Sequence, residues 1–278
     1  MPLANVNGVK LYYEVTGEGL PLIWSHEFAG TYQSWAPQVK FFARRYQVIT
    51  YNHRGFPPSD VPKEASAYSQ DILVEDLYQL LQYLGIKQAY VGGCSMGGSI
   101  AFQFGLAHPE VAKALIIVGA GSGSSNPEEF KKSLMGMVRQ LETVGWKVQA
   151  QRYANDFNRI QLKRKDPRGW QEFRDQLAEH SDNGSVLLIK NVLLKRPSVF
   201  SLEDQLKRLE VPALIMTGDD DLRCIEPSLF MKRHIPSSGL VVFPQSGHAI
   251  NLEEPELFNR VVLDFLSMVE AGKWARQP

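Results

Sequence analysis

Val91-Gly92-Gly93-Cys94-Ser95-Met96-Gly97-Gly98 joins an apolar run ending in Ala89-Tyr90-Val91 to a second apolar segment, Gly97 to Ala107. The first reads as a buried strand and the second as a helix, so Ser95 falls on the corner between them. A side chain pointing out of so tight a corner needs neighbours without bulk. Gly93 and Gly97 bracket the serine two residues either side, and Gly98 lets the helix pack closely. The corner also places Ser95 at a helix N-terminus, where free N–H groups and the positive end of the helix dipole favour a developing anion. Ser95 is therefore a candidate nucleophile.

Outward from this corner the chain alternates strands and helices. Asn7-Gly8, between Leu3 to Val6 and Val9 to Val15, is a hairpin signal. Leu20 to Trp24 and Tyr46 to Tyr51 are apolar strands that end in polar loops, Ser25-His26-Glu27-Phe28 and Asn52-His53-Arg54-Gly55. From a Ser69 N-cap, Leu73, Leu77, Leu80, Leu81 and Leu84 recur at helical spacing until Gly85. The nucleophile helix ends at His108 before Pro109, and Ala114 to Val118 is a further strand. This alternation implies a mostly parallel sheet with helices on both faces and right-handed crossovers. Ligands on such sheets bind beyond the carboxyl ends of the strands, where the loops after Trp24, Tyr51, Val91 and Val118 meet.

Between residues 122 and 210 the alternation stops. Asn126-Pro127-Glu128-Glu129 starts a helix, and further helical stretches run roughly over 145–157, 169–180 and 185–194, with connections at 163–168 and 181–184. This block reads as a helical insertion, since sheet strands resume at Val211 to Thr217 and Leu240 to Phe243. A last helix spans about Pro255 to Val269.

The resumed strands deliver two more polar loops at the same edge, Gly218-Asp219-Asp220-Asp221 and Gln245-Ser246-Gly247-His248. A serine hydroxyl is a weak nucleophile and needs a base within hydrogen-bond reach, itself oriented by a carboxylate. His248 and Asp221 fit these roles, with Asp220 the alternative acid.

In these motifs the chain resembles the α/β-hydrolase superfamily, in its cap-bearing, cofactor-independent serine branch. Gly93 to Gly98 is similar to the family's nucleophile elbow, Gly218 with Asp221 to its acid loop, and Gly247-His248 with Glu254-Pro255 to its histidine loop and last helix. The resemblance implies an eight-stranded sheet, a core of residues 1–121 and 211–278, and a helical cap over 122–210. It implies a triad of Ser95, Asp221 and His248. The spacing from Gly218 favours Asp221 over Asp220. By position it makes the Phe28 and Met96 amides the oxyanion donors. Glu27 stands where the family has glycine, and Asn52 and Pro57 where aspartate and a second glycine are usual. Glu27 is expected to pair with Arg54 or another cation from an adjacent loop, so that Glu27→Gly would leave activity within a few-fold. Trp146, Tyr153, Phe157 and Trp170 are candidates to line an apolar pocket, packing within the cap being the other reading. His26 and His53 read as loop-bracing groups, and His108, His180 and His234 as helix-end or surface residues. Nothing pairs the histidines as metal ligands.

The expected activity is hydrolysis of a carboxylic ester or lactone through an acyl-enzyme, with no metal or organic cofactor. On the same framework stand carbon–carbon bond hydrolysis, cofactor-free perhydrolysis and, in another class, a small-molecule receptor that keeps the triad. Cys94 and Ala249 replace the asparagine and tryptophan typical of carbon–carbon hydrolases, and a serine nucleophile argues against epoxide hydrolysis and dehalogenation. The 30 basic and 30 acidic residues among 278 cancel, so no overall field recruits nucleic acid or an anionic membrane. The expected partner is a small, largely apolar molecule; oligomeric state stays open, a homodimer included. Two cysteines are too few for a disulfide framework, and the opening Met1-Pro2-Leu3-Ala4-Asn5-Val6 lacks the pattern of a secretory leader. Both point to a cytoplasmic setting.

Overall fold

A computed structural model describes residues 2–275; Met1, where the N-terminal reading begins, lies outside them. Eight strands form one sheet among the described residues: β1 (Leu3–Val6), β2 (Val9–Thr16), β3 (Leu20–Ser25), β4 (Tyr46–Tyr51), β5 (Ala89–Cys94), β6 (Ala112–Val118), β7 (Ala213–Gly218) and β8 (Ser238–Phe243). Their order is β1-β2-β4-β3-β5-β6-β7-β8. β2 pairs antiparallel with both β1 and β4, and every later pairing is parallel. The Asn7-Gly8 turn joins β1 to β2 with positive φ at both residues, 47° and 76°, as a twisted two-residue hairpin requires.

Central strands are apolar on both sides because both sheet faces are covered. Leu22, Trp24, Ile116, Val118, Leu214 and Met216 face one layer, packed with Trp35, Phe42 and Phe258. That layer is built by α1 (Ala36–Phe42) and α12 (Pro255–Glu270). Ile23, Ile49, Val91, Leu115, Ile117 and Ile215 face the other. It holds α2 (Gln70–Tyr83), α3 (Met96–Ala107) and α10 (Leu222–His234). Ser69 caps α2 by accepting from the Ile72 amide at 3.1 Å, as its position before the leucine repeat predicts.

Between β6 and β7 the chain is helical: α4 (Pro127–Val144), α5 (Trp146–Tyr153), α6 (Ile160–Lys165), α7 (Pro167–Ala178), α8 (Asp182–Leu188), a π turn over Ile189–Leu193, and α9 (Glu203–Lys207). Four expectations change. α5 ends at Tyr153 rather than 157, and α6 occupies part of the stretch read as a connection; six residues ending Lys163-Arg164-Lys165 are too short to show a period. Asp182 to Gly184, read as a connection, are the first turn of α8, capped by Ser181. α1 and α10 are absent from the sequence reading, the second because Pro227 lies within it. A short α11 (Ile250–Glu253) precedes the last helix. No helix among the described residues is long and apolar enough to cross a membrane.

Candidate active site

Ser95 leaves β5 and opens α3 with φ 55° and ψ −109°, a conformation that costs a non-glycine residue about 1–3 kcal/mol. The amide of Ser95 donates to Val118 and its carbonyl accepts from Ser99, which tie the corner to β6 and α3. Gly97 makes the corner sterically feasible: a Cβ there would stand 2.0 Å from the Ser25 carbonyl oxygen.

His248 and Asp221 come from loops after β8 and β7. His248 Nδ1 and Asp221 Oδ2 are 2.6 Å apart, and both residues are buried. Burial pushes the Asp221 carboxyl up, but the attraction and hydrogen bond of His248, with contributions from Cys224 and Arg159, outweigh it and hold the group below the usual carboxylate range. Asp220 turns away and accepts from Gln161 at 3.1 Å, while Asp219 accepts from the Ser246 amide. The geometry therefore distinguishes Asp221 from the alternative acid. The histidine loop is held on two sides. Glu253 accepts from the Gly247 amide at 2.6 Å and the Ala249 amide at 3.0 Å, and the Asn158 carbonyl accepts from the His248 amide at 2.8 Å.

Ser95 lines a cavity of about 80 Å³ together with Phe28, Tyr153, Arg159, Asp221 and His248. The serine hydroxyl makes no hydrogen bond among the described residues. Neither the Phe28 nor the Met96 amide donates to another described group; Met96 is the first residue of α3, where an amide has no intrahelical acceptor. An exterior groove of about 880 Å³, lined by Tyr68, Gln103, Leu202 and Arg208 among others, contains none of Ser95, Asp221 and His248.

Glu27 is buried and pairs with Arg159, not Arg54. Arg159 donates through Nη1 to Oε1 at 2.7 Å and through Nη2 to Oε2, and also to the Tyr153 hydroxyl at 3.2 Å. Burial raises the Glu27 carboxyl, but Arg159, followed by His248 and His26, holds it below the usual range. The cation is thus not Arg54 but the other one that the expectation allowed, carried by the turn between α5 and α6 of the insertion. Arg54 is committed to Asp76 of α2, through Nε at 2.7 Å and Nη2 at 2.6 Å, and to the Ala67 and Asn7 carbonyls. At the other departures, Asn52 accepts from the Tyr32 amide and donates to the Pro57 carbonyl, both at 2.7 Å, bracing its loop.

Of the four aromatic candidates in the insertion, Tyr153 alone lines the Ser95 cavity. Trp146 is 1% exposed and donates to Ser185, and Trp170 donates to the Ala154 carbonyl. Both pack the insertion, because an indole N–H needs a buried acceptor and finds one inside it. Phe157 is 45% exposed and sits under Arg223, outside the cavity. His26 and His53 do brace loops: His26 Nδ1 meets the Glu27 carbonyl and Nε2 accepts from the His53 amide. His180 is buried rather than superficial, edge-on to Phe56, with neither ring nitrogen partnered. Sequence reasoning missed Arg159, Arg196, Arg223 and Asn158. The one available signal was Glu27 itself, a carboxylate at a buried loop that demands a cation.

Asp221, Cys224 and His248 also hold donor atoms within 4.8 Å of one another. These donors are already engaged, Nδ1 by Asp221 and Cys224 Sγ by the Gly119 carbonyl at 3.1 Å, so they form a hydrogen-bonded row rather than an open ligand set.

The chain belongs to the alpha/beta hydrolase family: the model of the alpha/beta hydrolase fold matches residues 21–255. Among solved structures it is similar to an esterase from Thermogutta terrifontis, with TM-score 0.86 and 25% identity over 96% of this chain and 98% of that one. It is similar in fold to the enol-lactonase of Burkholderia xenovorans, with TM-score 0.85 and 22% identity over 96% of this chain and all of the other. A protein of Azorhizobium caulinodans, provisionally named a carbamate hydrolase, is 25% identical over 97% of this chain and its own full length.

Proposed function

We propose that the chain is a serine hydrolase that cleaves a carboxylic ester or lactone through an acyl-enzyme. What carries this reading is the 2.6 Å contact of His248 with Asp221 in the cavity that Ser95 lines from a strained corner. His248 Nε2 takes the Ser95 proton as the hydroxyl oxygen attacks the carbonyl carbon, and Asp221 stabilises the resulting imidazolium. The oxyanion receives hydrogen bonds from the Phe28 and Met96 amides, each such donor lowering the barrier by about 3 kcal/mol. Collapse expels the alcohol portion with the proton from His248, and water, deprotonated by His248, releases the acid. The small cavity suits a short acyl group, and the insertion acts as a cap that shields it from bulk water. The esterase and lactonase names of similar structures agree with this chemistry. In the test, Ser95→Ala abolishes turnover of short activated esters and labelling by a fluorophosphonate while its melting curve matches the parent. Labelling that persists in the variant overturns the assignment, and a single slow turnover by the parent favours a receptor.

A further inference from the structure

Arg196 follows the π turn of the insertion and lines the Ser95 cavity, yet among the described residues no carboxylate lies within ion-pair distance of it. Its guanidinium donates to the Ser122 carbonyl at 2.7 Å, the Ser122 hydroxyl at 2.9 Å and, weakly, the Ser99 hydroxyl at 3.4 Å, and it lies over the Phe130 ring. A guanidinium has five N–H donors, so these contacts leave two without a protein acceptor. Arg196 is half-buried and also lines the exterior groove, and it stays charged: desolvation lowers it only to about 10. A second cation, Arg223, lines the same cavity, stacked on Phe157 and likewise without a carboxylate. Of the acids there, Asp221 is taken by His248, and Asp156 is exposed and accepts from the Phe157 amide. Arg159 is neutralised by Glu27, so Arg196 and Arg223 are the two cations of the cavity with no ion-pair partner among the described residues.

We infer that Arg196, assisted by Arg223, binds a carboxylate carried by the substrate, which makes the substrate a short ester or lactone with a free acid group. The spacing bounds its length. Ser99, which Arg196 touches, is one helical turn beyond Ser95, about 6 Å along α3, so the acid stands two or three methylenes from the scissile carbonyl. The guanidinium fork meets a carboxylate with two parallel hydrogen bonds, which orients the acyl chain as well as holding it.

This inference rests on the ester or lactone reading, and its test separates the two. Phenyl hydrogen succinate and phenyl hydrogen glutarate are compared with the neutral phenyl butyrate, on the parent and on Arg196→Met and Arg196→Lys. The parent is expected to favour a half-ester over phenyl butyrate by at least tenfold in kcat/KM, mainly through KM. Arg196→Met is expected to lose that preference and Arg196→Lys to retain part of it. Equal kcat/KM for charged and neutral esters in the parent, or a preference that survives Arg196→Met, overturns the proposal; a merely structural role would lower all three esters together. If Arg196→Met does not fold, Arg223→Met is measured and is expected to halve the preference or more. Should the parent cleave no ester, the catalytic reading fails by itself. Succinate and glutarate binding by calorimetry to Ser95→Ala, with and without Arg196→Met, then decides the carboxylate site: binding that requires Arg196 supports it, and none overturns it.

Discussion

At Gly119 one missing methyl group protects the spacing of the proposed catalytic row. The residue follows β6 with φ 52°, and a Cβ there would lie 3.3 Å from both Cε1 and Nδ1 of His248 and 3.4 Å from Asp221 Oδ2. Alanine therefore acts twice. The left-handed backbone costs about 1–2 kcal/mol, and the methyl group pushes the imidazole by a few tenths of an ångström. Displacement on that scale matters to proton transfer more than to binding. Gly119→Ala is expected to lower kcat about tenfold with little change in KM, measured on the ester that the parent turns over best; an unchanged kcat would show that the imidazole has room to spare. The sequence places Ser95 and His248 at their loops through local glycine patterns, but nothing around Gly119 marks it as the wall behind the histidine, because the contact spans 129 positions of chain that only the sheet brings together.

At the scale of elements, the insertion is fastened to the sheet edge by polar contacts at the site itself. Arg159 reaches Glu27, the Asn158 carbonyl holds the His248 amide, and Lys165 of α6 donates to Ser246 at 2.8 Å and Glu254 at 2.5 Å. Removing one member of the buried Glu27–Arg159 pair leaves the other charge uncompensated, which costs about 3–5 kcal/mol, whereas replacing both by apolar groups is often close to neutral. Glu27→Gln is thus expected to lower Tm by roughly 10 °C and to impair activity, since Arg159 and Tyr153 line the cavity. The pair Glu27→Leu with Arg159→Met should recover most of the stability. Equal melting of the parent and Glu27→Gln would show that the pair is solvated. The expectation that Glu27→Gly leaves activity within a few-fold takes no account of Arg159, because a partner 132 residues away cannot be read from the loop that needs it.

For the whole molecule, buried neutral histidines make stability depend on acid. Burial lowers His26 to about 4, even though Glu27 opposes it, and His180 to about 3, while an exposed histidine titrates near 6.5. From pH 6.5 down to these values the unfolded chain holds protons that the folded chain does not. Stability is therefore complete above about pH 7, falls as the pH drops through this window, and stops changing on their account below about 3. The depressed carboxylates of Glu27 and Asp221 act in the same direction at lower pH, since unfolding lets them take up protons first. His180→Phe keeps a ring against Phe56 and Trp146 and removes one proton uptake, ~1.4 kcal/mol per pH unit within the window. Urea midpoints between pH 7 and 4 are expected to fall less steeply for this variant than for the parent; parallel curves would show that His180 protonates without unfolding.

What the amino-acid order alone determined is what short range can carry. Apolar runs, the Asn7-Gly8 turn, the Ser69 cap and the glycines around Ser95 specify an alternating sheet with a serine at its corner, because period, turn chemistry and steric room are properties of neighbours in the chain. Tertiary structure decided the rest: which acid faces His248, which aromatics pack the insertion and which of the four candidates lines the cavity, where Glu27 finds its cation, and that Arg196 meets no carboxylate among the described residues. Those outcomes depend on desolvation and on contacts between segments a hundred or more residues apart, and no local pattern encodes which buried charge will meet its opposite.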